Sequence, residues 1–230
     1  MKKVVVLTAF LAATYAPAAF ATAELKLSSG ASSVDILDGG VGDANPAAGA
    51  VTFIGAVGNW TVNVSTGTEG TTPFFDLGSV NSTAGLPQVS PIVMSFSNDG
   101  LTLPSGFTLT AGGTVSSAAT TTVTFAAFTG TSKFDTSDQI GSTLTFHTTP
   151  PPISNAYSGS TTGSVVSGDT SATLVASIDL GSSTAFGGGS FDAALDTITV
   201  GGTPEPASIS MLGGVLLILG GALRRKIKKA

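Results

Sequence analysis

The clearest strand pattern in the chain is the stretch Val51-Thr-Phe-Ile-Gly-Ala-Val-Gly-Asn-Trp-Thr-Val-Asn-Val64. Its first half leads to the turn residues Gly58-Asn59, and its second half returns with strict alternation of apolar and polar side chains. Trp60, Val62 and Val64 share one face of the returning strand, because strand side chains repeat every two residues. The stretch is therefore predicted to be an antiparallel β-hairpin whose apolar face lies in the core.

Short apolar runs continue on both sides of this hairpin. Each run lasts four to eight residues and ends in Gly, Pro, Asn or Ser, which is the spacing of strands separated by turns. Residues 24–200 are thus predicted to form one all-β ectodomain, an antiparallel β-sandwich or a jelly-roll-like fold. Within it, the Ser-, Gly- and Thr-rich stretch 155–173 is assigned no strand, and Gly187-Gly-Gly189 is predicted to be a turn.

The first 23 residues have the pattern of a cleaved secretory signal. Lys2 and Lys3 precede an apolar run over residues 4–13, and small residues permit cleavage after Ala21 or Ala23. A membrane helix is the alternative, but Pro17 interrupts the run and the apolar core is short. The ectodomain is therefore expected to be exported.

A second apolar segment lies near the C-terminus. Residues 207–223 carry no charge and would extend about 26 Å as a helix, just enough to cross a thin bilayer. Residues 201–206 form a linker before this span, and residues 224–230 form a basic tail. The tail is predicted to stop transfer and to stay cytoplasmic. Its cations are Arg224, Arg225, Lys226, Lys228 and Lys229.

Pro204, Glu205 and Pro206 stand immediately before this span. Together with the short span and the basic cluster, they resemble the PEP-CTERM sorting signal of Gram-negative bacteria, over residues 203–230. The ending is richer in lysine than is usual for that family. The resemblance implies that exosortase, a membrane-embedded thiol protease, recognises the three residues and removes the tail. It also implies an inner-membrane intermediate that is later delivered to the cell surface or the extracellular matrix.

Charge limits the partners of the ectodomain. Between residues 24 and 203 only Lys26 and Lys133 are cationic, against thirteen acids, which gives a net charge of about −11. Such a surface repels nucleic-acid phosphates, so cations or neutral polysaccharide are the expected neighbours. The chain has no cysteine, which excludes disulfides, a thiol nucleophile and thiolate-bound metals.

Two sets of residues are candidates for ligand contacts. The loop after residue 37 brings together Asp35, Asp38, Asp43 and Asn45, whose oxygens suit calcium, although a role as solvated turn residues is the favoured explanation. Trp60 is either a core residue or a sugar-stacking platform, and Tyr157 is a second exposed-aromatic candidate. Calcium is accordingly the one cofactor considered.

The sequence favours a binding or structural role over an enzymatic one. His147 is the only histidine, no Gly-x-Ser-x-Gly motif supplies a nucleophile, and His147 is expected to point outward from a strand. We therefore expect an exported structural or adhesive protein of the surface, exopolysaccharide or biofilm layer. The alternatives are a carbohydrate-binding module that uses calcium or exposed aromatics, and a glycan-active hydrolase with two carboxylates.

Overall fold

The structure, a computed structural model, describes residues 23–68, 75–84, 90–117, 119–148, 155–181 and 187–198. Among these residues it contains twelve β-strands and no helix. The chain divides into two compact units, Met1–Thr197 and Ile198–Ala230, and every strand belongs to the first. The strands are β1 Glu24–Ser29, β2 Ser32–Leu37, β3 Thr52–Val57, β4 Trp60–Thr68, β5 Phe75–Ala84, β6 Ile92–Asn98, β7 Gly106–Ser116, β8 Thr121–Gly130, β9 Asp138–Thr148, β10 Asn155–Ser164, β11 Ser171–Asp179 and β12 Gly187–Thr197.

The strands form two six-stranded sheets. Sheet A has the order β2-β1-β6-β11-β8-β9, and sheet B has the order β10-β7-β12-β5-β4-β3. All paired neighbours are antiparallel. The two sheets share one apolar core, so the predicted all-β, sandwich-like class of the ectodomain is confirmed.

The core follows from alternation along the strands. On β12, Phe191, Ala193 and Leu195 are buried while Asp192 between them is exposed. Aromatic rings from both sheets meet in this core. The ring centroids of Phe125 in sheet A and Phe191 in sheet B are 5.4 Å apart in an edge-on arrangement. The β3–β4 hairpin contributes Trp60, Val62 and Val64, all buried as predicted.

Glycines close one side of the sandwich, where β9 of sheet A meets β10 of sheet B. Gly141 on β9 has a φ of +63°, and a Cβ at Gly163 on β10 would collide with its backbone nitrogen. The N–H of Ser142 donates to Thr161 Oγ1 over 3.1 Å across the same corner. The two sheets can approach this closely because neither glycine carries a side chain.

A loop of residues 131–137 lies against the outer face of sheet A. The N–H of Phe134 donates to Ser97 Oγ over 3.0 Å, and Lys133 Nζ lies 3.1 Å from Glu24 Oε2. Lys26 Nζ lies 4.2 Å from the centre of the Phe134 ring, a cation–π geometry. Both lysines of the ectodomain are therefore gathered beside Glu24, away from sheet B.

The sequence assignment differs from the structure in three places. The stretch Ala111-Gly-Gly-Thr114, which the sequence suggests as a turn, lies inside β7. Residues 155–164, assigned no strand, form β10, and the predicted turn Gly187-Gly-Gly189 is the beginning of β12. Neither segment has an apolar alternation that would have revealed it. Both are held by pairing with β7, whose own apolar residues supply the core contacts.

The predicted signal peptide, sorting signal, membrane span and basic tail lie outside the described residues, apart from Ala23. No helix among the described residues is long and apolar enough to cross a membrane.

Candidate functional site

The outer face of sheet B carries two adjacent rows of small and polar residues that run across the strands. The first row crosses all six strands, about 24 Å at 4.8 Å per strand, and the second lies beside it. We call these rows the sheet B platform. Its residues are Ser158, Gly112, Asp192, Gly78, Ser65 and Thr52 in the first row, and Ser160, Thr110, Ala194, Asp76 and Gly67 in the second.

Two carboxyl groups meet at the centre of the platform. Asp76 on β5 pairs with Ala194 on β12, so Asp192 is its diagonal neighbour on the same face. Partial burial, together with the hydrogen bond and the negative charge of Asp192, raises the pKa of Asp76 to about 7, against the opposing effect of the Leu77 N–H. The Asp76 carboxyl is therefore partly protonated near neutral pH, and can act as a hydrogen-bond donor or as an acceptor towards a hydroxyl group.

Glycines leave the floor of the platform bare. A Cβ at Gly67 would meet no atom within 4 Å, and a Cβ at Gly78 would make only ordinary contacts, the nearest at 3.8 Å to Asp192 Oδ1. Neither residue has a positive φ, so neither packing nor backbone conformation demands glycine there. Glycine inside a strand weakens it and often marks close approach of a ligand or another backbone. The two glycines therefore leave room for such an approach.

Sequence reasoning did not single out Asp76 and Asp192. Each lies between two inward apolar residues, as in Phe75-Asp-Leu77, which is enough to predict an outward carboxylate. The pairing of β5 with β12, more than a hundred residues later, is what brings the two together, and no local pattern encodes it.

The predicted calcium residues are largely engaged within their own loop. Asp43 accepts the N–H groups of Gly39, Asn45 and Thr52 at 2.9, 2.8 and 2.9 Å. Asp38 accepts the N–H of Gly49 at 2.7 Å, and Asp35 lies on β2, paired with Lys26. Within the described ranges, no three His, Asp or Glu side chains come together in a group that could hold a metal ion. The calcium site stays a prediction.

The two aromatic candidates face inward. Trp60 is fully buried and its Nε1–H donates to the Ser90 carbonyl over 3.2 Å, so the core interpretation holds and its ring offers no face to a sugar. Tyr157 is half-buried, with its ring centroid 4.9 Å from that of Phe146, and burial raises the pKa of its phenol. The Trp60 ring is therefore closed to a stacking ligand, whereas the half-buried Tyr157 ring packs against Phe146.

His147 lies exposed on β9, as expected for an outward strand residue. Its Nδ1 is 3.1 Å from the Thr122 hydroxyl on β8. A hydroxyl held by a histidine is one part of a hydrolase triad, but a carboxylate that orients the ring is also required. The contacts described for His147 include no such carboxylate.

Turns at one end of the sandwich surround a small pocket. Its volume is about 210 Å³, below the roughly 300–1,000 Å³ of typical small-molecule sites. Its lining has no charged side chain. The lining residues are Ser29, Gly30, Ala31, Ser32, Gly58, Asn59 and Ser90.

No family model matches the chain, and no curated protein matches it either. Solved structures overlap it in part. The enzymatically active domain of bacteriophage CBA120 tailspike protein 4 is 14% identical over 61% of this chain and 20% of that chain, with a TM-score of 0.33. TmCBM61 in complex with beta-1,4-galactotriose is 13% identical over 62% and 91%, with a TM-score of 0.32.

A third structure is the isomalto-dextranase of Arthrobacter globiformis T6 complexed with panose. It is 13% identical over 63% of this chain and 23% of that chain, with a TM-score of 0.27. The chain thus spans about a fifth of the length of the tailspike and dextranase chains. At TM-scores below 0.5, these likenesses assign neither a fold family nor a ligand.

Proposed function

We propose that the protein is an exported structural or adhesive component of the cell-surface or exopolysaccharide layer of a Gram-negative bacterium, and that it acts by binding rather than by catalysis. The observation that supports this most is the sheet B platform, a broad face of hydroxyls, carboxyls and bare backbone. Such a face suits an extended, hydroxyl-rich polymer laid across the strands. The lysines of the ectodomain lie on the other sheet, so the platform offers no cation to an acidic ligand.

Export and sorting complete the proposal. The secretory signal over residues 1–23 sends the chain across the inner membrane, and residues 207–223 hold it there. Exosortase then recognises Pro204, Glu205 and Pro206 and releases the ectodomain for delivery to the surface or matrix.

Intact mass spectrometry of the chain from its host tests the sorting step. In a host with exosortase, we expect a mature species that begins near Thr22 or Glu24 and ends near Pro204. In a host without exosortase, the tail through Ala230 should remain. Retention of the tail in both hosts would contradict the sorting proposal, and the chain would then be a single-pass membrane protein.

A carbohydrate-binding module is the second candidate, favoured by the carboxyl pair at the centre of the platform. Gly78→Val would place a branched side chain over Asp192 without disturbing the core, because the site points outward. Thr124→Val adds a similar apolar side chain to the outer face of sheet A and is the matched control. On a glycan array, loss of binding in the Gly78 variant alone would support the platform. Equal binding by both variants would place the ligand elsewhere.

A further inference from the structure

The free edge of sheet B carries no charge. β3 is the last strand of the sheet, and the hairpin over residues 52–68 contains no Asp, Glu, Lys or Arg, within an ectodomain of net charge about −11. On β3, the side chain of Ile54 is 66% exposed. Edge strands in soluble proteins commonly carry charges or proline that prevent pairing with another chain. β3 has neither.

The backbone of β3 points hydrogen-bonding groups outward. The N–H of Thr52 donates to Asp43 Oδ1 and its C=O accepts from the Ala44 N–H, so the backbone groups of Thr52 face away from β4. Because these directions alternate along a strand, the N–H and C=O groups of Ile54 and Ala56 face away from β4 as well. The loop over residues 38–50 covers the edge at Thr52, and no other described strand pairs with it beyond that point.

The other edges of the two sheets are protected. β9 and β10 abut each other at Gly141 and Gly163. β2 presents the charged Asp35 on its strand, next to Lys26 of β1. β3, unlike β2, therefore has no charged residue of its own, and it takes no part in the contact between β9 and β10. It adjoins β2 of sheet A without pairing with it, and beyond Thr52 no described strand pairs with its outer side.

We propose that β3 pairs antiparallel with β3 of a second copy of this chain, about a two-fold axis at Gly55. In this register Ile54 of each copy lies opposite Ala56 of the other, and each such pair exchanges two backbone hydrogen bonds. The apolar surface of Ile54 is then covered by the other copy. The contact is isologous, which closes a dimer rather than a fibre.

The charge distribution favours a second copy of this chain as the partner of β3. Two ectodomains of about −11 repel each other wherever carboxylates would meet, and the β3–β4 hairpin is a stretch of 17 strand and turn residues from 52 to 68 without any. Gly55 also suits the axis. The ring of Phe53 occupies the space that a Cβ at residue 55 would need, so the two backbones meet at the axis without a residue 55 side chain. This pairing stands whether or not the platform binds a glycan.

Sedimentation equilibrium over a range of protein concentrations tests the pairing. It measures the association constant of the full chain in excess detergent. Ile54→Lys places like charges near the axis and is expected to weaken association at least about tenfold. Val166→Lys makes the same change at an exposed residue between β10 and β11 and should have no effect. Because Ile54 points to solvent, the Lys variant should keep the wild-type circular dichroism spectrum.

Disulfide trapping tests the register, since the natural chain has no cysteine. A mixture of Ile54→Cys and Ala56→Cys chains should form a cross-linked dimer faster than either variant alone. Asp35→Cys, on the edge of sheet A, should form none above background. A monomer at all concentrations, a dimer unaffected by Ile54→Lys, or cross-linking independent of these positions would each overturn the proposal.

Discussion

Asp76 binds a proton more tightly in the folded chain than in the unfolded chain, because partial burial and Asp192 disfavour its charge. The unfolded carboxyl has a pKa of about 3.8 and the folded one a pKa of about 7. Below pH 4 both states are protonated. As the pH rises from 4 to 7 the unfolded state loses its proton first, so the stability of the fold falls across this interval and levels off above it.

Asp76→Asn should remove this fall. Each pKa unit corresponds to ~1.4 kcal/mol, but solvent screening at this partly exposed carboxyl reduces the total to about 1–2 kcal/mol. We expect the variant to be more stable than the natural chain by this amount at pH 8, and equally stable at pH 4. Urea unfolding at both pH values measures the difference.

Asp99→Asn is the control for this measurement, since it removes one charge in the loop after β6. If both variants are more stable than the natural chain at pH 8, the cause is the net charge rather than Asp76. A gain at pH 4 as large as that at pH 8 would show that the proton on Asp76 is not its cause.

Trp60 should contribute to stability rather than to ligand contact. Trp60→Ala removes a fully buried side chain and leaves the Ser90 carbonyl without its indole partner. Loss of a buried tryptophan typically costs ~3–5 kcal/mol of unfolding free energy. Thermal unfolding followed by circular dichroism should show this loss, whereas an unchanged melting temperature would contradict the packing described here.

Residue-level predictions succeeded where alternation alone decides a side chain's environment. Trp60, Val62 and Val64 were predicted to be core residues because alternation along a strand places all three on the same face. This pattern lies within a single hairpin, and all three side chains are buried. The carboxyl pair was missed because it depends on which distant strands are neighbours. Two aspartates on β5 and β12 have ordinary local sequences, and only the sheet order makes them a pair.

At the level of whole strands, the close approach of β9 and β10 requires glycine at their contact. Gly163→Ala would force a Cβ against the backbone of Gly141, so β9 and β10 would have to separate. Overpacking of this kind typically costs ~1–3 kcal/mol. Gly67→Ala is the matched control, because nothing lies within 4 Å of its Cβ and the stability should stay the same or rise by up to ~1 kcal/mol. Equal losses in the two variants would show that the corner contact contributes nothing.

Asp43 organises the loop between the two sheets. Asp43→Ala would leave the N–H groups of Gly39, Asn45 and Thr52 without their acceptor. Hydrogen bonds to a charged group contribute ~1.5–3 kcal/mol, so faster amide hydrogen exchange is expected at these three residues. Asp35→Ala, on β2, should leave the exchange at these positions unchanged.

Calcium binding to the same loop can be tested through the melting temperature. A cation that binds the folded chain raises its melting temperature by linkage. The three N–H groups on Asp43 occupy lone pairs that calcium would need, so we expect no rise in melting temperature on adding calcium. A rise that Asp43→Ala abolishes would establish the calcium site that the sequence suggested.

Strand prediction from the sequence worked for elements that carry their own apolar face. β4 alternates strictly and joins β3 through a two-residue turn, so their pairing is local. β10 has Gly, Ser and Thr at most positions and becomes a strand because β7 offers it a complete ladder of partners. Its stability is tertiary, and a propensity argument cannot find it.

At the scale of the described ectodomain, both lysines lie on one face only. Both lysines of the ectodomain lie beside Glu24 against sheet A, and the centre of sheet B carries Asp76 and Asp192. A polymer that approaches sheet B therefore meets acceptors and hydroxyls without a compensating cation. The negative electrostatic field of sheet B should weaken the binding of neutral glycans only little, whereas it repels acidic glycans and nucleic acids.

The salt dependence of binding should therefore distinguish acidic from neutral polysaccharides. Because repulsion between exposed charges is screened over about 8 Å at 0.15 M salt and about 3 Å at 1 M, association with an acidic polysaccharide is expected to strengthen as salt rises. Association with a neutral polysaccharide should depend little on salt, since hydrogen bonds on the platform supply it. Co-sedimentation with dextran and with alginate between 0.02 and 1 M NaCl, roughly the range over which screening changes most, compares the two. Stronger binding of alginate at low salt would require a cationic surface that the outer face of sheet B lacks, and would contradict the platform as the contact.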